Sequence, residues 1–285
     1  MLVSLDIGPG FAVALTSVQH RGVIKVIDGN LFYYSSENEY EKDTSIKTIL
    51  FKDSLGEMEE WITETQENPS EILLAGYLFS AIVPEGSTIK LIIQGPLNEC
   101  RDQDLRDNLL NTFTKMREGT FIITYRDKPQ RELQFNIQDI AVVSRGLSGL
   151  FNKKIYESID SNTSAAIVHV GYNSTDYIAV NQVVDWTVSD TINTGIENYL
   201  RLKVEGKHRE SEKILPALAR NIEYELNKVW ENKTFDALFL SGFEIQALTA
   251  HMNLQSIAKE IVGIEVWDSL EGALNGLKLS LVTRH

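Results

Sequence analysis

The chain has 285 residues, enough for one or two domains with a substantial core. Its composition is 43% hydrophobic and 24% charged, and its apolar runs reach only strand length, so neither a disordered chain nor a transmembrane helix is expected. With 27 Lys and Arg against 40 Asp and Glu the formal charge is −13, which disfavours a general nucleic-acid binder, because such binding depends on cations displacing counterions from phosphates.

In chain order, residues 2–16 read as a hairpin: an apolar strand, the turn Asp6-Ile7-Gly8-Pro9-Gly10, and a second apolar strand opening at Phe11. Val23–Ile27 and Asn30–Tyr34 are two further strands joined through Asp28-Gly29. Glu37–Thr48 is polar and reads as a loop. Leu55–Thr65 suggests a helix through Met58, Trp61 and Ile62. Ile72–Phe79 and Thr88–Ile93 read as strands. The second of these stops at Gln94-Gly95-Pro96, at the carboxyl end of a strand, where ligand sites gather in open α/β sheets. Gln103–Glu118 is an amphipathic helix with Leu105, Leu109, Leu110, Phe113 and Met116 on one face. Thr120–Tyr125 and Arg131–Ile137 pair around Asp127-Lys128-Pro129. Ala141–Val143 is a short strand, and Phe151–Glu157 begins a helix that links the halves. The expected domains are residues 1–159 and 160–285.

The second half opens with another hairpin, Ala165–Val170, the turn Gly171-Tyr172-Asn173-Ser174-Thr175, and a strand that starts at Asp176. Such a hairpin brings backbone N–H groups and small hydroxyls to one point, which suits a phosphate chain, although many Gly-Tyr-Asn-Ser turns are only turns. Gln182–Val188 reads as a third strand, Thr194-Gly195 opens a helix to about Leu202, and Val204–Glu212 is a charged loop. Ile214–Trp230 is a helix striped by Leu215, Leu218, Ile222, Leu226 and Val229. The strand Ala237–Leu240 leads to the turn Ser241-Gly242-Phe243-Glu244, a short helix near Gln246–His251, a strand at Ile261–Val266 and a closing helix at Leu270–Leu281. Strands lead each half and helices follow, so α/β domains with mixed sheets are expected. Cys100 stands alone and the five His are dispersed, which argues against disulfides and zinc. The N-terminal apolar run carries Asp6 and no basic segment, so no signal peptide is expected and a reducing, cytoplasmic setting is.

Two phosphate-type hairpins half a chain apart, followed by a strand–glycine–helix unit, resemble the actin-like ATPase superfamily. Within it the order from Val3 to about Leu281 resembles the bacterial plasmid-segregation actins of the ParM/StbA type. The hairpin Thr120–Ile137 leading to Val142–Gly149 is similar to the segment that closes that family's first domain. Phe235–Leu240 with Gly242, then Glu271–Gly276, is similar to its adenosine-binding turn and terminal Asn-Gly helix. Only Val204–Lys213 lies between Leu202 and Ile214, too little for the family's extra subdomain, so the chain resembles most the short AlfA type.

The resemblance implies an actin-like (ribonuclease H-like) fold, two related α/β domains around a nucleotide cleft. It implies ATP or GTP with magnesium, head-to-tail self-assembly into filaments, and segregation of plasmid or other DNA through a DNA-binding adaptor, with no direct nucleic-acid contact and no membrane span. The competing readings are a non-polymerising ATP-binding module and a small-molecule kinase or activator ATPase. Residue by residue, the resemblance places Asp6, Gly8, Pro9, Gly10 and Phe11 at the first phosphate loop, with Asp6 holding magnesium through water. Gly171, Tyr172, Asn173, Ser174 and Asp176 fall on the second loop, Thr194, Gly195 and Glu197 near the ribose or base, and Gly242, Phe243 and Glu244 at the adenosine. Two departures bear on catalysis. The family's second loop usually carries Asp two residues before its Gly, where this chain has His169, so slow hydrolysis is expected. The family also places Glu or Gln early in the linking helix to position water, and Phe151 is the nearest equivalent by sequence.

Overall fold

The computed structural model describes residues 1–8, 10–35, 41–65, 67–152, 155, 157, 159, 163–181, 183–263 and 270–276. The chain divides into two compact units, Met1–Gly95 with Asp102–Val143, and Pro96–Arg101 with Ser144–His285. The division expected after residue 159 falls inside the second of these.

In the first unit β1 (Leu2–Gly8) and β2 (Phe11–Thr16) form the expected hairpin. Beyond β2 the sheet continues antiparallel through β3 (Arg21–Ile27), β4 (Asn30–Tyr34) and β5 (Glu41–Lys42). On the other side β8 (Thr88–Gly95) runs parallel to β1, and β11 (Asn136–Ser144) lies beyond it. A second, antiparallel sheet comprises β6 (Ile46–Lys52), β7 (Met58–Ile62), β9 (Thr120–Tyr125) and β10 (Arg131–Leu133), in the order β10-β9-β6-β7. The amphipathic helix is α3 (Gln103–Thr114), extended by a 3-10 turn that buries Met116 with Phe113. The N–H groups of Asp104 and Leu105 donate to the Asp102 carboxylate that caps it.

Three segments of this unit differ from expectation. Leu55–Thr65 contains no helix: the chain turns at Gly56 and returns as β7 beside β6. Trp61 is buried there while Leu55 and Met58 are exposed, so the helical stripe does not exist. Ile72–Phe79 is not a strand but the middle of α1 (Glu71–Ile82). Its unbroken apolar run reflects a helix packed on one side against β1, β2 and β3 and on another against β6, β7 and β9, and periodicity cannot separate such a helix from a buried strand. Within polar Glu37–Thr48, residues 36–40 lie outside the described set, and Glu41–Lys42 and Ile46 onward are strand.

The second unit takes α2 (Leu97–Arg101) from the end of β8 and continues with α4 (Arg145–Gly149) after β11. Its hairpin is β12 (Ser164–Val170) with β13 (Thr175–Asn181). β16 (Phe235–Gly242) runs parallel to β12, and β17 (Ala258–Gly263) parallel to β16. The expected strand Gln182–Val188 breaks into β14 (Val183–Val184), a 3-10 turn capped by Asp185, and β15 (Asp190–Ile192), with both strands paired to β13 and Gln182 outside the described residues. Then come α5 (Glu197–Val204), α6 (His208–Val229) and α7 (Ile245–Thr249), and residues 270–276 form a last helix. α6 starts six residues before Ile214, and its first turn is charged because residues 205–210 face solvent. Trp230 closes α6 onto the sheet: its ring meets Tyr177 and Phe235 at 5.8 and 5.0 Å, and its indole N–H donates to Val188 O at 2.9 Å. The strand expected at Ile261–Val266 reaches into residues 264–266 and the helix expected at Leu270–Leu281 into residues 277–281, all outside the described set.

The two units repeat one plan. Each has an antiparallel hairpin with a parallel strand on the outer side of its first strand. In the parallel register Asp6 sits beside Gln94, and His169 sits beside Ser241. Gly8 and Gly171 each follow two residues later, so Asp6 and His169 occupy the same position in the two copies.

Candidate functional site

In the second unit the backbone gathers turns that are far apart in sequence. The Gly171 N–H donates to Ser174 O at 2.8 Å and closes the hairpin turn. The Ile196 N–H donates to Gly171 O at 3.1 Å and the Glu197 N–H to Tyr172 O at 2.9 Å, which fixes the start of α5 on that turn. The Phe243 N–H donates to Val170 O at 3.2 Å, which fixes the turn after β16 beside it. Glycine is required where these elements close in: a Cβ on Gly195 would lie 2.2 Å from Tyr172 O, and one on Gly242 would lie 2.0 Å from Val170 O. Thus Gly171, Tyr172, Asn173, Ser174, Gly195, Glu197, Gly242, Phe243 and Glu244 are brought together. At the turn the Asn173 side chain is exposed and Ser174 is buried.

Glu244 has a left-handed backbone (φ 51), unusual for a side chain with a Cβ. Lys203 of α5 holds it with an ion pair at 2.5 Å, both side chains 30% exposed, and the ammonium also lies 5.9 Å from the Tyr199 ring centre. By sequence Lys203 reads only as the start of a basic patch, Lys203–Arg209. Its spacing from Glu244 carries no local signal, since the contact spans two elements.

His169 is fully buried, and its Nδ1 hydrogen-bonds with Ser241 Oγ at 2.9 Å while Nε2 has no hydrogen-bond partner among the described residues. Burial first, and the nearby Arg145 charge second, hold the imidazole well below its ordinary pKa of 6.5. In the unfolded chain this His takes a proton below about pH 6.5 and in the fold it does not, so it removes stability as pH falls below that value. His169→Gln should therefore flatten the drop in melting temperature between about pH 7 and 5. Identical pH profiles for the two proteins would sink this account.

Asp176 sits opposite His169 on β13 and is 1% exposed. It accepts from the Leu97 N–H at 2.9 Å and from Thr191 Oγ1 at 2.8 Å, with longer contacts from Ser144 Oγ and the Gly146 N–H at 3.4 Å. Its carboxylate therefore ties α2, α4 and β15 to the hairpin. Burial pushes its pKa up, opposed by the charge of Arg145 and by these donors.

Arg145 opens α4. The helix after β11 begins there, six residues before Phe151, and the linking helix expected at Phe151–Glu157 falls partly on residues outside the described set. Arg145 is 4% exposed, and a Cβ on Gly171 would lie 2.1 Å from its Nη1, so the guanidinium packs directly on the turn. α8 (residues 270–276) lies close to this helix: a Cβ on Gly272 would meet Ser148 O at 2.1 Å.

The first unit has its own hairpin site. Asp6 and Phe11 are buried, Gly8, Phe11 and Lys25 form one row across β1, β2 and β3, and the Val26 N–H donates to Gly10 O at 2.7 Å. Lys25 is 2% exposed, a buried cation beside this turn that sequence reading also missed. Pro9 lies outside the described residues. At the second hairpin the buried His169 is held neutral and Asp176 accepts from the Leu97 N–H and Thr191 Oγ1. Asp6, the residue to which the resemblance gives magnesium, lies in the hairpin of the first unit. No helix among the described residues is long and apolar enough to cross a membrane.

The sequence matches no protein-family model and no curated protein. Solved structures do match over nearly the whole chain. The pCBH ParM non-polymerisable quadruple mutant has a TM-score of 0.67 at 17% identity, with 98% of this chain and 99% of that one covered. An archaeal actin homologue has a TM-score of 0.65 at 14% identity, covering 97% and 99%, and it has also been solved in complex with ADP. The filament structure of AlfA from a Bacillus subtilis plasmid has a TM-score of 0.55 at 12% identity, covering 96% and 97%. The chain has the ParM-like, actin-like fold, built from two α/β units.

Proposed function

We propose that this chain binds a nucleoside triphosphate at the hairpin of its second unit and assembles head to tail into filaments. The observation that carries the reading is the convergence of the Gly171, Gly195 and Gly242 turns through backbone hydrogen bonds. The phosphates lie along Gly171–Ser174 and the base near Phe243, Glu244 and Lys203, with Glu197 toward the ribose. The filament structures among its neighbours and the neighbour solved with ADP support both halves of the proposal. Fold alone does not fix function, so the turn geometry matters more than the likeness. A contact between different faces of successive copies does not close and gives a filament. ATP or GTP serves as the nucleotide, and in the cytoplasm an adaptor supplies the basic surface for DNA cargo that a chain of charge −13 lacks. Hydrolysis is slow, because His169 stands where the resemblance expects a carboxylate and Phe151 is the nearest equivalent of its Glu or Gln.

Sedimentation tests this directly. The protein is spun over a concentration series with ATP, GTP, a non-hydrolysable analogue, ADP or no nucleotide, and phosphate is counted in the supernatant. Pelleting above a critical concentration only with a triphosphate, with little phosphate released, is the expected result. Failure to pellet under any condition overturns the filament, and nucleotide binding without pelleting leaves a non-polymerising module.

A further inference from the structure

α6 carries a charge pattern at odds with the chain as a whole. Leu215, Leu218, Ile222 and Leu226 form its buried side. On the opposite side stand four exposed cations, Arg209, Lys213, Arg220 and Lys228, whose spacings of four, seven and eight residues put them on one face. Arg209, Lys213 and Arg220 form no ion pair with any described residue, and Lys228 has Glu225 at 3.9 Å. Glu223 is turned aside, accepting from the Asn253 N–H at 3.0 Å. Tyr224 stands in the same row and is 64% exposed. On a chain of formal charge −13, a basic crest about 30 Å long is a surface for an acidic partner.

The chain carries a surface of that kind itself. The turn between β6 and β7 is built by Asp53, whose Oδ1 accepts from the Leu55 and Glu57 N–H groups at 2.9 Å each. It leaves Leu55 85% and Met58 66% exposed beside exposed Glu57, Glu59 and Glu60, with Lys52 across from Met58. Neither Glu57 nor Glu60 pairs with a described cation. β7 is the edge strand of its sheet, and Met58, Glu60 and Ile62 alternate onto the face away from buried Trp61. An apolar centre flanked by carboxylates complements a tyrosine flanked by cations.

We propose that the β6–β7 turn of one copy docks on the α6 crest of another, with Leu55 and Met58 against Tyr224, and Glu57 and Glu60 against Lys213 and Arg220. The inference rests on the filament reading above and specifies which two surfaces meet. Because the surfaces differ, the contact is heterologous and repeats from copy to copy. The rival occupant of the crest is a nucleic-acid phosphate backbone, which accounts for the cations but not for the acidic apolar turn.

The test is charge exchange in the whole chain, read by pelleting with a triphosphate. Lys213→Glu with Arg220→Glu reverses the crest, and Glu57→Lys with Glu60→Lys reverses the turn. All four side chains are exposed, so the fold is kept. Each variant alone should need a critical concentration about tenfold or more above that of the wild type, since like charges then face each other. Mixing the two variants should bring it back to within about threefold, because each reversed surface finds its complement on the other protein. The quadruple variant, reversed on both surfaces, should do the same alone. Mixing does not cure a folding defect. Wild-type pelleting of both variants overturns the contact and leaves the filament standing, and a loss that mixing does not restore overturns it as well. If the wild type binds a labelled DNA duplex and the crest variant does not, while that variant pellets normally, the crest belongs to nucleic acid instead. A wild type that pellets under no condition overturns the contact and the filament together.

Discussion

Gly242→Ala is expected to cost the second unit about 4 kcal/mol or more, most of the stability of an ordinary domain. Gly242 has φ 127, outside the regions open to residues with a Cβ. The added methyl would also lie 2.0 Å from Val170 O, 2.7 Å from Val170 C and 2.9 Å from Val170 N. All three are backbone atoms of β12, the strand that pairs with β16 at this position. Neither strand can move aside without breaking the ladder, and the Phe243 N–H bond to Val170 O goes with it. Gly86→Ala is the control: its φ is 77, but no atom lies within 4 Å of an added Cβ, so it should cost only about 1 kcal/mol of backbone strain. Urea unfolding of both variants separates the clash from the strain. Equal losses would mean that the β12–β16 contact is softer than its geometry implies.

The turns that make this site were legible in sequence because each carries a local mark. Gly171, Gly195 and Gly242 follow apolar strands or open a helix, and the hairpins at residues 2–16 and 164–181 fall where their apolar runs break. Their convergence was legible only through the order of the elements. What stayed hidden has physical reasons. α1 is apolar on almost every face, so its sequence has no periodicity with which to declare a helix. β7 carries three apolar residues at helical spacing by accident, and only Trp61 is buried. β11, a strand of nine residues, runs straight into α4, and the Gly146 at that junction says nothing of where the arginine before it packs. The true helix start, and with it the residue facing Gly171, could have been read from Ser144, whose hydroxyl caps Leu147 N–H. Lys25 and Lys203 are long side chains that reach a turn from neighbouring elements, and nothing local in sequence marks such a reach.

Asp176→Ala should destabilise the second unit by about 3–5 kcal/mol, the range for removing one partner from a buried charge cluster. The substitution removes the acceptor of the Leu97 N–H and of Thr191 Oγ1, and it strips Arg145 of a counter-charge where the guanidinium is 4% exposed. Asp176→Asn keeps an oxygen for the Leu97 N–H and Thr191 Oγ1, removes the charge, and gives up only the longer contacts of Ser144 Oγ and the Gly146 N–H. Burial already raises the pKa of this carboxyl, so the ionised form is costly in the fold. The amide escapes that cost while losing the attraction to Arg145, and its loss should be the smaller of the two. If Arg145 and Asp176 act as a charge pair, Asp176→Asn in an Arg145→Gln background should cost less than in the wild type. Urea midpoints of the four proteins measure this. Strict additivity would show that Asp176 works only as a hydrogen-bond acceptor for α2 and β15. A large coupling would place the Arg145 guanidinium and the Asp176 carboxylate in one balanced charge cluster that holds α2, α4 and β15 to the hairpin.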